Sequence, residues 1–192
     1  DCNLVADVSK EGTPLANGLG KYRAGSYAVR DWRGGDIRLT NLMIENFEYG
    51  FWGVQSDLNI FRDLQLRRCK VGLFPGPRSD QIIVDGCYSF YNERALVLDT
   101  VRGARVLNWS SVADGTGDIA PFVIGGSHDN YWGGSSAILF DGCWWERMQD
   151  FNAPLDAFMD IGVGDVQASR GIWIPNGTIF VRQQHEIGPV RC

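Results

Sequence analysis

The segment Ile138-Leu-Phe-Asp-Gly-Cys-Trp-Trp-Glu146 places a short turn between two apolar stretches, and its middle, Phe140-Asp-Gly-Cys143, recurs along the chain. Val84-Asp-Gly-Cys87 is the closest repeat. Four more segments align with these two: Leu39-Thr-Asn-Leu42, Phe61-Arg-Asp-Leu64, Val106-Leu-Asn-Trp109 and Ile174-Pro-Asn-Gly177. Successive segments begin 22, 23, 22, 34 and 34 residues apart. The alignment therefore predicts six related units.

One position of the repeat holds only residue types that tolerate a left-handed backbone. It lies two residues after the start of each segment, at Asn41, Asp63, Gly86, Asn108, Gly142 and Asn176. Apolar residues alternate with polar ones around it, which is typical of short strands rather than helices. A further apolar stretch closes each unit, so we expect about three strands per unit, joined by a recurrent turn at this position.

Three short strands in about 22 residues, with a turn at a constant place, predict an all-β parallel solenoid of about six stacked coils. An antiparallel sandwich also contains many short strands, but it does not predict columns that realign from unit to unit. We assign residues 37–192 to the solenoid. Residues 1–36 are expected to form an entry segment or the end of a preceding coil.

These residues resemble the right-handed parallel β-helix family, the pectate-lyase-like superfold that phage tailspikes and other virion proteins also use. The resemblance covers about residues 37–190 and rests mainly on the Asn/Asp/Gly turn. It implies a tailspike-like virion protein, assembled in the host cytoplasm, that serves as a structural or receptor-facing module. Its implied partners are other copies in a trimer, other virion subunits or host-surface polysaccharide. A capsid-decorating protein is the mechanical alternative.

Composition and charge exclude several other classes. With 192 residues, 44% of them hydrophobic, the chain is long enough for one globular domain. A formal net charge of −5 argues against nucleic acid as a partner. No run of eighteen apolar residues suggests membrane insertion. The five cysteines follow no metal-ligand spacing, and no phosphate or dinucleotide fingerprint is present, so we expect free thiols, no metal and no cofactor.

A polysaccharide-degrading enzyme, either a glycoside hydrolase or a lyase, is the second functional hypothesis. The usual cleavage motifs of this fold are absent, but the two long units are consecutive, so their extra loops should lie together. Glycoside hydrolysis requires two carboxyl groups across a groove. Glu146 is the first candidate, since it should project outward beside Trp144, and Asp114 or Asp150 is the candidate partner. For an aspartate in a glycine-rich loop, ordinary turn formation is the alternative.

Large apolar residues also recur at positions expected to face outward, four and six residues after the start of each segment. They are Met43, Tyr88, Phe90, Val112, Trp144 and Phe180. Contiguous exposed apolar area marks an interface, either with further copies or with sugar, unless loops of the chain cover it. Because aromatic rings stack on sugar rings, the candidate substrate-binding residues are Trp144, Trp132, Tyr131, Asp129 and Tyr88.

Overall fold

The chain passes repeatedly through three sheets, always in the same order, in the computed structural model of the protein. The structure describes residues 2–116, 119–125, 135–146, 157–161, 164–169, 172–174, 179–183 and 190–191. Within these ranges the regular structure is strand, and every strand pair except one is parallel. The expected right-handed parallel β-helix with three short strands per coil is confirmed.

We number the strands along the chain and the sheets in the order in which a coil meets them. The first sheet holds β1 (Cys2–Val5), β5 (Leu42–Glu45), β8 (Gln65–Arg67), β11 (Tyr88–Phe90), β14 (Ser110–Val112), β17 (Trp144–Glu146) and β20 (Ile172–Ile174). The second sheet holds β2 (Gly12–Pro14), β3 (Lys21–Trp32), β6 (Phe47–Val54), β9 (Val71–Pro75), β12 (Arg94–Leu98), β15 (Phe122–Ile124), β18 (Ala157–Ile161) and β21 (Ile179–Gln183). The third sheet holds β4 (Arg38–Thr40), β7 (Ile60–Arg62), β10 (Ser79–Asp85), β13 (Val101–Leu107), β16 (Ser135–Asp141), β19 (Gly164–Ser169) and β22 (Val190–Arg191).

The predicted columns realign in the third sheet. The first residues of five aligned segments pair one above another, in the order Leu39, Phe61, Val84, Val106 and Phe140. The predicted turn follows them, with positive φ at Asn41, Asp63, Gly86, Asn108 and Gly142. This corner joins the third sheet to the first, and the prediction is confirmed at these five positions. Asn176 lies outside the described residues.

The alignment of the last unit is wrong. Phe140 pairs with Ala168 in the third sheet, whereas Ile174 pairs with Glu146 in the first sheet. The last unit therefore starts at Ala168 rather than at Ile174. The Pro-Asn-Gly sequence after Ile174 has the composition of a turn in any setting, which is why the alignment selected it.

Residues from the N-terminal part of the chain also lie on the stack. Cys2 pairs with Leu42 in the first sheet, and Val29 pairs with Phe51 in the second sheet. Strands β1 and β3 thus belong to a coil directly below the one that begins at residue 42.

The segment between β1 and β3 folds over the corner that joins the first sheet to the second. Leu15 is buried there, and Gly20 lies against the side chain of Arg68. The amide of Ala16 donates a hydrogen bond of 2.6 Å to Glu93 Oε1. Asn17 Nδ2 donates another, of 3.2 Å, to the carbonyl of Tyr91. The segment therefore connects its own coil to the coil that contains β11 and β12, across two intervening coils.

A valine at position 108 should lower the free energy of unfolding by about 1–2 kcal/mol, because β-branched residues are strained in a left-handed backbone. Asn108 has φ 51, and its Nδ2 also donates to Asp85 Oδ1 over 3.0 Å. Urea denaturation of Asn108→Val measures the loss. Asn108→Gly is the control, since glycine adopts this backbone freely and should lose only the side-chain hydrogen bond. Equal losses in the two variants would contradict the role of the corner.

Candidate functional site

The outward columns predicted on the first sheet exist as far as Trp144 and Glu146, but Phe180, which we expected in the second of them, lies in β21 of the second sheet because the last unit was misaligned. Tyr88 pairs with Ser110 and Ser110 with Trp144, while Phe90, Val112 and Glu146 form the next outward column. Adjacent strands are about 4.8 Å apart, so Tyr88 and Trp144 stand roughly 10 Å apart with the small Ser110 between them. The structure thus brings the predicted residues Tyr88, Trp144 and Glu146 onto one face.

These three side chains differ in how far they are exposed to solvent. Trp144 is 48% exposed, and Tyr88 and Glu146 are partly buried. Burial, followed by the charge of Asp114, raises the pKa of Tyr88, and the nearby Arg67 opposes this shift. Tyr88 is therefore a neutral phenol at physiological pH, suited to stacking and hydrogen bonding rather than to acid–base chemistry.

Asp114 lies inside the solenoid, not in a surface cleft. It follows the left-handed Ala113 at the corner between the first and second sheets, and only 3% of its surface is exposed. Its Oδ2 accepts hydrogen bonds from the hydroxyls of Ser89 at 2.5 Å and Ser111 at 2.6 Å. Its Oδ1 accepts two from Asn92, from the backbone N at 2.7 Å and from Nδ2 at 2.9 Å.

This enclosure changes the chemistry expected of Asp114. Burial raises its pKa to about 6, against the opposing effect of the four hydrogen bonds. A side chain in this position does not reach a polymer bound outside the coils. The Asp-Gly sequence suggested a surface turn, but the left-handed residue before it directs the carboxylate inward. Asp114 therefore serves the interior rather than a catalytic pair.

Four other predicted site residues cannot be placed on either face. Asp129, Tyr131, Trp132 and Asp150 all lie outside the described residues. The cleft that we predicted between the loops of the two long units depends on them, and it stays a prediction.

A second exposed surface, which the sequence analysis did not identify, lies on the second sheet. We call it the aromatic platform; its rings are those of Tyr27, Trp32, Tyr49, Trp52 and Phe74. Tyr27 and Tyr49 stack with centroids 5.4 Å apart and planes 10° apart. Trp32 and Trp52 stack at 5.8 Å and 26°. Trp32 is 58% exposed, so the platform is open to solvent.

Strand register holds the platform in place. Tyr27 pairs with Tyr49, and the column that begins at Arg30 continues through Trp52 to Phe74. Between these outward columns Phe51 points inward and is fully buried against Phe61, with ring centroids 4.8 Å apart. Strand pairing and the buried Phe51 hold the backbone under the platform in place. The rings are therefore preorganised for a ligand.

A signal for the platform was present in the sequence. Tyr27 and Tyr49 are 22 residues apart, as are Trp52 and Phe74, and this is the spacing that separates the first two corner segments. The pattern was missed because residues 1–36 were set apart from the repeat. The stretch around Trp52 was also read only as apolar, with no distinction between its inward and outward residues.

The buried cysteines are structural. Cys69, Cys87 and Cys143 are free thiols in the core, and Cys2 is free and exposed. Burial raises the pKa of Cys69 and Cys87 to about 12 and that of Cys143 to about 11, so these sulfurs stay protonated and unreactive at physiological pH. In the described part of the chain, no group of three His, Cys, Asp or Glu side chains is arranged to hold a metal ion. The same residues contain no helix long and apolar enough to cross a membrane.

The fold and the two faces define a β-helix with exposed aromatic surfaces, and comparison with known proteins adds little to this. No protein-family model and no curated protein matches the sequence. Among solved structures, the catalytic domain of a GH87 α-1,3-glucanase in complex with nigerose is similar to 84% of this chain at 10% identity, with a TM-score of 0.34. A variant of that domain gives 13% identity and a TM-score of 0.36. The chain spans about half of those domains (49%), and a likeness of this size does not bear on its substrate.

Proposed function

We propose that this chain is a carbohydrate-binding β-helix module and that the aromatic platform of the second sheet is its binding surface. The observation that carries the proposal is the set of stacked, exposed rings held in register on neighbouring strands. Flat aromatic faces suit the C–H faces of sugar rings, and the indole N–H of Trp32 and the phenol of Tyr27 can bond to hydroxyl groups.

The size of the platform favours a small, flat ligand over a protein partner. Tyr27 is 36% exposed, Trp32 is 58% exposed, and the other three rings are partly buried. If one aromatic side chain offers at most about 250 Å², the five rings together expose roughly 500 Å² or less. A standard protein interface buries about 800 Å² on each partner. A row of sugar rings needs less area than that.

A catalytic function of the first-sheet face is less well supported than a binding function. Both mechanisms of glycoside hydrolysis need two carboxyl groups. The register neighbours of Glu146 in its outward column are Val112 and Ile174, and Asp114 is enclosed in the core. In the described part of this face, Glu146 therefore has no adjacent carboxylate partner. A binding function needs no such pair.

The tailspike-type resemblance gives this proposal a biological setting. A receptor-facing module of a virion would use a rigid aromatic surface to hold host-surface polysaccharide. The virion location and the trimer stay predictions, and binding of oligosaccharide to a single chain does not depend on either.

Trp32→Ala should weaken glycan binding at least about tenfold, because it removes the most exposed ring of the platform. Affinity electrophoresis against a panel of neutral and acidic polysaccharides measures the change. Trp144→Ala is the matched control, since Trp144 is similarly exposed but lies on the first sheet. Loss of binding with Trp144→Ala alone would move the site to the first sheet. Failure of the unaltered protein to bind any polysaccharide would overturn the proposal.

A further inference from the structure

A cation lies on the aromatic platform. The guanidinium carbon of Arg30 is 5.3 Å from the ring centroid of Tyr27 and 5.0 Å from that of Trp52. The side chain is exposed, and its residue occupies the outward column that leads to Trp52. Contact with the two rings restricts the guanidinium while the arginine stays exposed to solvent. A charged donor is thus preorganised among the rings that the proposed function assigns to sugar.

Arg30 differs from the cations that are neutralised by carboxylates. The described residues form five such ion pairs: Arg23 with Glu11, Arg38 with Asp36, Arg68 with Glu45, Lys70 with Glu48, and Arg102 with Asp80. Within the described residues no carboxylate forms an ion pair with Arg30. Asp31, next to it in sequence, instead accepts a hydrogen bond from the hydroxyl of Ser56. The positive charge on the platform is therefore available to a ligand.

We infer that the platform selects a polysaccharide that carries carboxylate groups, with Arg30 pairing to a carboxylate while the neighbouring rings stack on the sugar. This inference rests on the proposed function and names its ligand class. A guanidinium matches a carboxylate with two parallel N–H donors, which a neutral hydroxyl does not offer. Arg33, exposed directly after Trp32, adds a second positive charge at the edge of the platform.

The net charge of the chain limits how this selection works. At −5 the protein as a whole does not attract an acidic polymer over long distances. Discrimination must come from direct contact with Arg30, so it should appear in the dissociation rate more than in the association rate.

Matched pairs of ligands test the inference. The probes are polygalacturonate, alginate and hyaluronate, each compared with its own carboxyl methyl ester, which keeps the sugar rings and removes the charge. We expect at least one acid to bind about tenfold more tightly than its ester. Arg30→Gln should abolish that difference, because it removes the charge that distinguishes the acid from its ester. Arg38→Gln, which removes an exposed arginine of the third sheet, should preserve the difference.

The outcomes separate this inference from the proposed function. Equal binding of acid and ester, with both lost in Trp32→Ala, would overturn the ligand class and leave carbohydrate binding in place. A preference for the acid that persists in Arg30→Gln would overturn the assignment to Arg30. If none of the polymers, esters or neutral polysaccharides binds, both proposals fail. Thermal melting confirms that each variant is folded, and Arg30 is exposed, so its replacement should not lower stability.

Discussion

Replacing Asp114 by alanine should lower the free energy of unfolding by about 3–5 kcal/mol. The substitution leaves four buried donors without their acceptor, from Ser89, Ser111 and Asn92, and each such loss costs about 1–3 kcal/mol. Removal of a buried charge offsets part of this cost. Urea denaturation at pH 7 measures the effect, and a change below about 1 kcal/mol would contradict the network that we describe.

The matched variant Asp114→Asn keeps an acceptor for Asn92, and the two serine hydroxyls can turn to accept from the new amide. It should lose far less stability than Asp114→Ala. It should also remove a pH dependence. The folded-state pKa of Asp114 is about 6, above the ordinary 3.8, so the folded protein binds more protons than the unfolded chain between these values.

Stability contributed by this carboxyl is thus fully present below about pH 4 and is lost as the pH rises through about 6. Relative to Asp114→Asn, the unaltered protein should lose up to roughly 3 kcal/mol over that interval. Parallel stability curves for the two proteins from pH 4 to pH 7 would show that Asp114 does not titrate in this way.

Trp109→Ala is the other substitution with a large expected effect, about 3–5 kcal/mol. Trp109 is fully buried, packs edge-on against Phe122 at 5.8 Å and lies between Cys87 and Cys143 in the inward column directly after the corner. Alanine would leave a cavity that spans the gap between two neighbouring coils. The cavity cannot close without shifting the strands, because backbone hydrogen bonds fix their separation.

The variant Trp109→Phe separates the contribution of side-chain volume to stability from that of the indole hydrogen bond. The indole Nε1 donates to Ser89 Oγ over 2.7 Å, and Ser89 in turn donates to Asp114. Phenylalanine keeps most of the packing and should cost about 1–2 kcal/mol. Because the two residues share Ser89, the effects of Trp109→Phe and Asp114→Ala should not add. Additive losses, or an alanine variant as stable as the phenylalanine variant, would contradict this arrangement.

The sequence predicted the corner between the third and first sheets, but not the corner between the first and second sheets. At Asn41, Asp63 and Asn108 the residue type itself favours the left-handed backbone, so the corner was visible. The corner between the first and second sheets has the same backbone at Arg68 and Tyr91, which have no such preference. There the stack imposes the conformation. The amides of these two residues donate to the carbonyls of Phe90 and Val112 in the next coil, and those bonds offset the strain.

For the candidate site residues too, some positions follow from the sequence and others do not. Glu146, Trp144 and Tyr88 were placed on one face because strand alternation decides which side a residue takes. Asp114 was expected in a surface loop because Asp-Gly is typical of turns, whereas it follows a left-handed residue at a corner and is enclosed in the core. The platform was missed for a different reason: its rings meet only after β3 is recognised as a strand of the stack. Which side chains become neighbours across coils depends on how the coils stack in register. The sequence of a single unit does not contain that information.

The segment that crosses from Leu15 to Gly20 alters how the stack comes apart. In an ordinary solenoid each coil touches only its neighbours, so coils can fray one after another. The bonds from Ala16 and Asn17 bypass two coils and reach Glu93 and Tyr91, at the corner between β11 and β12. Detachment of β3 therefore also breaks contacts far along the chain. The coils that the segment spans are expected to unfold together as one cooperative block. The platform lies within that block, so its rigidity is shared with the middle of the molecule.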